Sequence, residues 1–229
     1  MTELAMKNLS MDMISAKMFT CLDKEITVKY GEEGKTYLVE GLTRFGLKDA
    51  EAMAKKATAE GENHTFFQYL PKQIEGVEQY AHLTDFARFA KMFAQIAKVV
   101  VDIHGDEGKQ VISEAVRKFG ESRGQGIAQR ARANGFDNDI DNYLKHYDMG
   151  RSDLFHYESY FTSDNIEQTF FHCPLGQQWA DDNMHEYGIL YCQMIDPAIA
   201  SGYNEKFEVE HDQYVLKEGV CHFNFKMKE

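Results

Sequence analysis

The apolar pattern of this chain changes period once, and that change limits the folds open to it. Before about residue 150, apolar side chains recur every three or four positions. Leu83, Phe86, Phe89, Phe93, Ile96, Ala97 and Val100, for example, trace one face of a long helix. From Asp153 onward strand patterns dominate. Leu154–Phe161 and Ile166–His172 read as a hairpin about Thr162-Ser-Asp-Asn165. Phe207–Tyr214 and Val220–Met227 read as a second hairpin about Lys217-Glu-Gly219. Helical sequence runs between them from Gln177 to Ala200, with an interruption expected near Pro197. The expected class is α+β: a helical region over 1–149, then an α+β region over 150–229 in which helices separate the two hairpins of an antiparallel sheet. In the last strand Cys221, Phe223, Phe225 and Met227 fall on one face, so Cys221 should point into the core.

Within the helical region, residues 30–61 align with 104–135. The pairs Gly31/Gly105, Glu33/Glu107, Gly34/Gly108, Lys35/Lys109, Phe45/Phe119 and Gly46/Gly120 are identical. Each copy reads as a helix starting at Gly-Glu-Glu-Gly or Gly-Asp-Glu-Gly, a Phe-Gly break, and a second helix ending at glycine. A duplicated helical hairpin serving as scaffold is the expectation. A Met-rich amphipathic helix over 2–22 precedes it and suggests contacts in a homo-oligomer. Gly124-x-Gly126 has no preceding strand and lacks a third glycine, so it is no dinucleotide loop. Arg123 beside it reads either as a solvated helix-face arginine or as a group reaching a substrate carboxylate. Asp137–His146 lacks the central glycine and terminal glutamate of a calcium loop and reads as a cap and a short helix.

A formal charge of −12 argues against nucleic-acid and anionic-membrane partners, which need a basic footprint. No run approaches the roughly 18 to 20 apolar residues of a membrane span, and the N-terminus has no secretory pattern. Cys21, Cys173, Cys192 and Cys221 are too scattered for a disulfide framework. Reduced thiols and a cytoplasmic location are expected.

Reactive side chains gather between Phe170 and Asp196: Cys173 and Cys192, His172 and His185, the single Trp179, and Asp196. Cys173 closes a strand just before a helix whose N-terminal dipole favours its thiolate. His185 could fold back toward that thiol, and Asp196 lies four residues after Cys192, on the same helical face. A thiol, an imidazole and a carboxylate suffice for nucleophilic attack on a carbonyl or amidine carbon. The competing reading is a zinc site of Cys173, Cys192 and Cys221 with His172, His185 or His222. No Cys-x-x-Cys or His-x-x-x-His pair exists to position such ligands, so no cofactor or metal is expected.

Cys173-Pro-Leu175, Trp179, Tyr191-Cys192, Asp196, Gly202-Tyr-Asn204 and Cys221-x-Phe223, together with Phe119–Ala131, resemble the L-2-amino-thiazoline-4-carboxylic acid hydrolase family over about residues 100–229. Where the family usually has Gly-Phe-Asn-Pro, this chain has Gly202-Tyr-Asn-Glu205. The resemblance implies hydrolytic opening of a small cyclic amidine or isothiourea at a C–N bond. Cys173 would then be the nucleophile, His185 the general acid/base and Asp196 the amidinium contact, with Trp179, Tyr191, Cys192, Asn204 and Arg123 lining the substrate pocket. Two alternatives remain open: ring-opening of a cyclic diketone or related carbocycle, with or without a metal, and a domain that binds a small molecule without catalysis.

Overall fold

The computed structural model describes residues 8–62, 66–150, 152–162 and 164–228. The first major helix, α1 (Met11–Phe45), is capped by Ser10, whose Oγ accepts from the Met13 N–H at 3.1 Å. The helix expected over 2–22 therefore starts at Met11, with residues 1–7 outside the described residues, and extends further than its Met-rich pattern indicates. Helices α2 (Leu47–Ala59) and α3 (Phe66–Tyr69) follow, and then α4 (Asp85–Ala133), capped by Thr84.

Both long helices bend at a glycine. Gly31 has φ 61°, ψ −134° and Gly105 has φ 57°, ψ −130°, conformations that side-chain-bearing residues rarely adopt. After each bend the chain folds back on itself. A Cβ on Gly34 would lie 2.7 Å from the Ile26 carbonyl oxygen, and one on Gly108 the same distance from that of Val100. The two bends occupy aligned positions, and the residues just before them, Tyr30 and His104, stack at 4.0 Å. The helical hairpins thus turn at these glycines rather than at the Phe-Gly pairs. Phe45-Gly46 does end α1, but α4 continues through Phe119-Gly120. The reason lies far along the chain. Gly120 and Gly124 face the helix that contains Ile195–Gly202, and a Cβ on Gly124 would meet the Ile199 carbonyl at 2.1 Å. These glycines serve close helix packing and leave the helix intact.

Asp139 caps α5 (Ile140–Tyr143) by accepting from the Asn142 N–H at 3.0 Å, and a short 3-10 turn, Leu144–His146, follows, in line with the cap-and-helix expectation. The sheet comprises β1 (His156–Phe161), β2 (Asn165–His172), β3 (Phe207–Gln213) and β4 (Cys221–Met227), all antiparallel in the order β1-β2-β4-β3. The two hairpins therefore meet through their second strands. Between them lie α6 (Pro174–Asp181) and α7 (His185–Tyr203), and α8 (Val215–Glu218) joins β3 to β4. The expected interruption at Pro197 does not occur. The carbonyl that proline leaves without a donor belongs to exposed Gln193, so water can satisfy it. The break falls instead at Asn183, which takes φ 55° between α6 and α7.

The α+β class stands. α4 is the spine, packed against α1 on one side and α7 on the other. One face of the sheet covers the helices and carries Phe170, Cys221, Phe223 and Phe225. Cys221 is buried there, as its alternation requires. No helix among the described residues is long and apolar enough to cross a membrane.

Candidate functional site

Between the inner face of the sheet and the α4–α7 layer lies a cavity of about 640 Å³. Besides Asn8, Tyr143, Lys145, Tyr147, Ser152, Tyr157 and Ser159, its polar lining comes from three places. The crossing of α4 and α7 contributes Arg123, Tyr191, Cys192 and Asp196. The start of α6 contributes Cys173, and the sheet contributes Gln168, His211 and Cys221. The crossing is close because glycine stands on both helices. A Cβ on Gly202 would lie 2.2 Å from the Glu121 carbonyl, the counterpart of the Gly124 contact.

Asp196 is the central charge. It lines the cavity and has no hydrogen-bond or ion-pair partner among the described residues. Burial raises its carboxyl to a pKa of about 6, with the positive charge of Arg123 opposing the rise. Its own negative charge acts on Tyr143, Tyr147, Tyr191 and the thiols of Cys173, Cys192 and Cys221. The i, i+4 spacing of Cys192 and Asp196 does place both on the cavity face of α7.

Arg123 is not a solvated helix-face residue. It is buried, and its Nε and one terminal nitrogen donate to Asp148 at 2.9 and 2.6 Å. Phe119 and Tyr147 flank the guanidinium at 5.6 and 5.4 Å. Asp148 is held in turn by the chain, since its carbonyl accepts from the Leu9 N–H at 2.7 Å. The guanidinium therefore lines the cavity with most of its fork already engaged.

Cys173 is the N-cap residue of α6, with Pro174 at the first helical position. Its thiol lines the cavity. Burial pushes its pKa up, and the backbone N–H groups of Gly176 and Leu175 pull the other way. Cys192 is likewise raised by burial, and Cys221 is pushed to about 12 while its sulfur accepts from the Val215 N–H at 3.2 Å. Three thiols thus face one cavity in their neutral forms. Among the described residues no group of three His, Cys, Asp or Glu side chains is arranged to hold a metal.

The structure does not bring His185 to this cavity; it sits exposed on the first turn of α7. The imidazole that does line it is His211 of β3, packed between Tyr214 at 3.9 Å and Phe223 at 4.0 Å. Both of its ring nitrogens are buried, and burial lowers its pKa to about 4 against the opposing pull of the nearby Cys192 and Gln213 backbone. Asn204 also lies outside the lining. It caps α7, donating to the Asn138 carbonyl at 2.7 Å and accepting from the Lys206 N–H at 2.9 Å. Trp179 contributes ring surface to the wall, but its indole N–H is engaged by the Ala90 carbonyl at 2.8 Å. Tyr191 lines the cavity with no hydrogen bond to its hydroxyl among the described residues.

The family model for L-2-amino-thiazoline-4-carboxylic acid hydrolase matches residues 85–225, a span that runs from the start of α4 to the last strand and contains nearly every polar group of the cavity. The chain belongs to this family. No curated protein matches it. Among solved structures, this family member is similar to a protein studied for haem distortion in the H-NOX family, at 13% identity and a TM-score of 0.41, with 94% of this chain and 95% of the other covered. It is also similar to an oxygen-binding H-NOX domain related to soluble guanylate cyclases, at 12% identity and a TM-score of 0.39, over the same shares.

Proposed function

We propose that this family member hydrolyses a small ring carrying an amidine or isothiourea group, and that Asp196 holds the cationic end of that group inside the cavity. The observation that carries the reading is the unpartnered Asp196 carboxylate. The carboxylate is half-buried at the cavity wall, a partly desolvated charge without a partner is costly, and a bound cation removes that cost. Cys173 is the nucleophile in this scheme. Its sulfur bonds to the ring carbon that bears the nitrogens, and Asp196 accepts the thiol proton. The bond from that carbon to a ring heteroatom, nitrogen in the C–N case, then breaks, and the heteroatom leaves with the proton. Water adds to the same carbon and expels the Cys173 thiol, so one water is consumed per ring opened. Asp196 suits the transfers because its pKa of about 6 lies near neutrality. His211, neutral, stands in the cavity wall where His185 does not reach.

Ring-opening of 2-amino-thiazoline-4-carboxylate by the wild type and by Cys173→Ala and His185→Ala variants tests the scheme. Loss of turnover in the first variant alone is the expected result, and unchanged turnover in Cys173→Ala would remove the nucleophile. A binding domain without catalysis is the second reading, favoured by the burial-raised thiols. It predicts binding of the ring without its disappearance.

A further inference from the structure

The cavity is much larger than the head group that Asp196 can hold. A volume of about 640 Å³ is that of a site for a drug-sized ligand, roughly 20 non-hydrogen atoms. A lone five-membered ring would leave most of it unfilled. Aromatic rings make up much of the wall, among polar side chains that include Lys145, Tyr157 and Ser159. Aromatic rings in mutual contact run along the wall: Phe86 to Phe155 at 5.1 Å, Phe155 to Phe170 at 6.0 Å, Phe170 to Phe223 at 5.6 Å, Phe223 to Phe225 at 6.0 Å, and Phe225 to Tyr143 at 5.7 Å between centroids. All of these side chains line the cavity. The only polar side chain on this stretch of sheet that faces inward from β2 is Gln168, and its amide already donates to Ser159 Oγ at 2.9 Å. Asp196 and Tyr191, which line the cavity without a hydrogen bond among the described residues, belong to α7.

We propose that the ligand is an amphiphile, a planar nitrogen-based cation at Asp196 joined to an extended apolar body lying along the aromatic wall. The inference rests on the reading that Asp196 holds the head, and it adds the tail. A tail of that kind would bury apolar surface against rings that otherwise face an unfilled space, and an anionic head would meet Asp196 with like charge.

The test is a series of straight-chain amidines, acetamidine, hexanamidine and decanamidine, titrated calorimetrically into the intact protein at pH 7.5, with decanoate as the anionic control. Affinity should tighten about fourfold per methylene, the equivalent of about 0.8 kcal/mol, and decanoate should bind at least tenfold more weakly than decanamidine. Ser159→Trp, which fills space beside the wall from the edge strand, should weaken decanamidine and leave acetamidine unchanged. Equal affinity along the series, or decanoate binding as well as decanamidine, overturns the proposal. Ring-opening measured in the same preparation separates the two ideas. A flat series with turnover of the small ring removes only the tail, and a steep series without turnover of any ring removes only the hydrolase.

Discussion

Replacing Asp196 with asparagine should make the empty protein more stable at pH 8 while removing its hold on a cation. In the folded chain the Asp196 carboxyl keeps its proton up to about pH 6, whereas the ordinary value is 3.8. The native state therefore binds more protons than the unfolded chain across that interval, and stability is lost as pH rises through it. The contribution is fully present below about pH 4 and gone above about pH 6. The gap corresponds to about 3 kcal/mol. A buried asparagine amide returns about 1 kcal/mol of that as unmet hydrogen bonding, leaving a net gain of about 2 kcal/mol at pH 8. For a chain of this length that is a rise in Tm of roughly 4–8 °C. At pH 4 the wild-type carboxyl is neutral, only the amide's cost of about 1 kcal/mol remains, and the variant should melt slightly below wild type. Thermal unfolding of both at pH 4 and pH 8 is the assay. An Asp196→Asn protein that melts below wild type at pH 8 would show that the carboxylate has a stabilising partner, and the argument for an open cation site would fail.

Three further outcomes follow from the packing. Arg123→Met should cost about 3–5 kcal/mol in urea unfolding, because it strands the buried Asp148 carboxylate; the double change Arg123→Met with Asp148→Leu should recover most of that loss, and equal losses in the two would contradict the pairing. Gly124→Ala should destabilise by about 3 kcal/mol or more, since its Cβ would sit on the Ile199 carbonyl, whereas Gly126→Ala, with open space around it, should gain about 1 kcal/mol from helix propensity. Iodoacetamide at pH 7 should label Cys173 slowly, because burial keeps its thiol protonated, and the rate measured by mass spectrometry should climb as pH rises; rapid labelling at pH 7 would mean an activated thiolate in the empty protein.

The parts of this molecule written in local pattern were legible from residues alone. Strand alternation placed both hairpins within two residues of their observed bounds, and the i, i+4 spacing placed Cys192 and Asp196 on one face. What was not legible depends on residues far apart in the chain. Gly120 reads locally as a helix stop, yet it lets α4 run on against α7. Pro197 reads as a break, yet the chain breaks at Asn183, whose left-handed backbone has no marking beyond an asparagine. Arg123 meets Asp148 across 25 positions, and His211 reaches the cavity only because β3 pairs with β4 on the far side of the sheet. Sequence proximity favoured His185 for that role. The inward register of β3, which sets His211 on the same face as Phe207, was the one signal that could have found it.

The most direct measurement is the pH dependence with which 2-aminoimidazoline, an unreactive cyclic cation, binds to the wild type and to Asp196→Asn. The account predicts affinity that rises as pH passes through about 6 and levels off by pH 7.5, with at least a tenfold loss at the plateau in the variant. Binding that is independent of pH over this interval and equal in both proteins would contradict it.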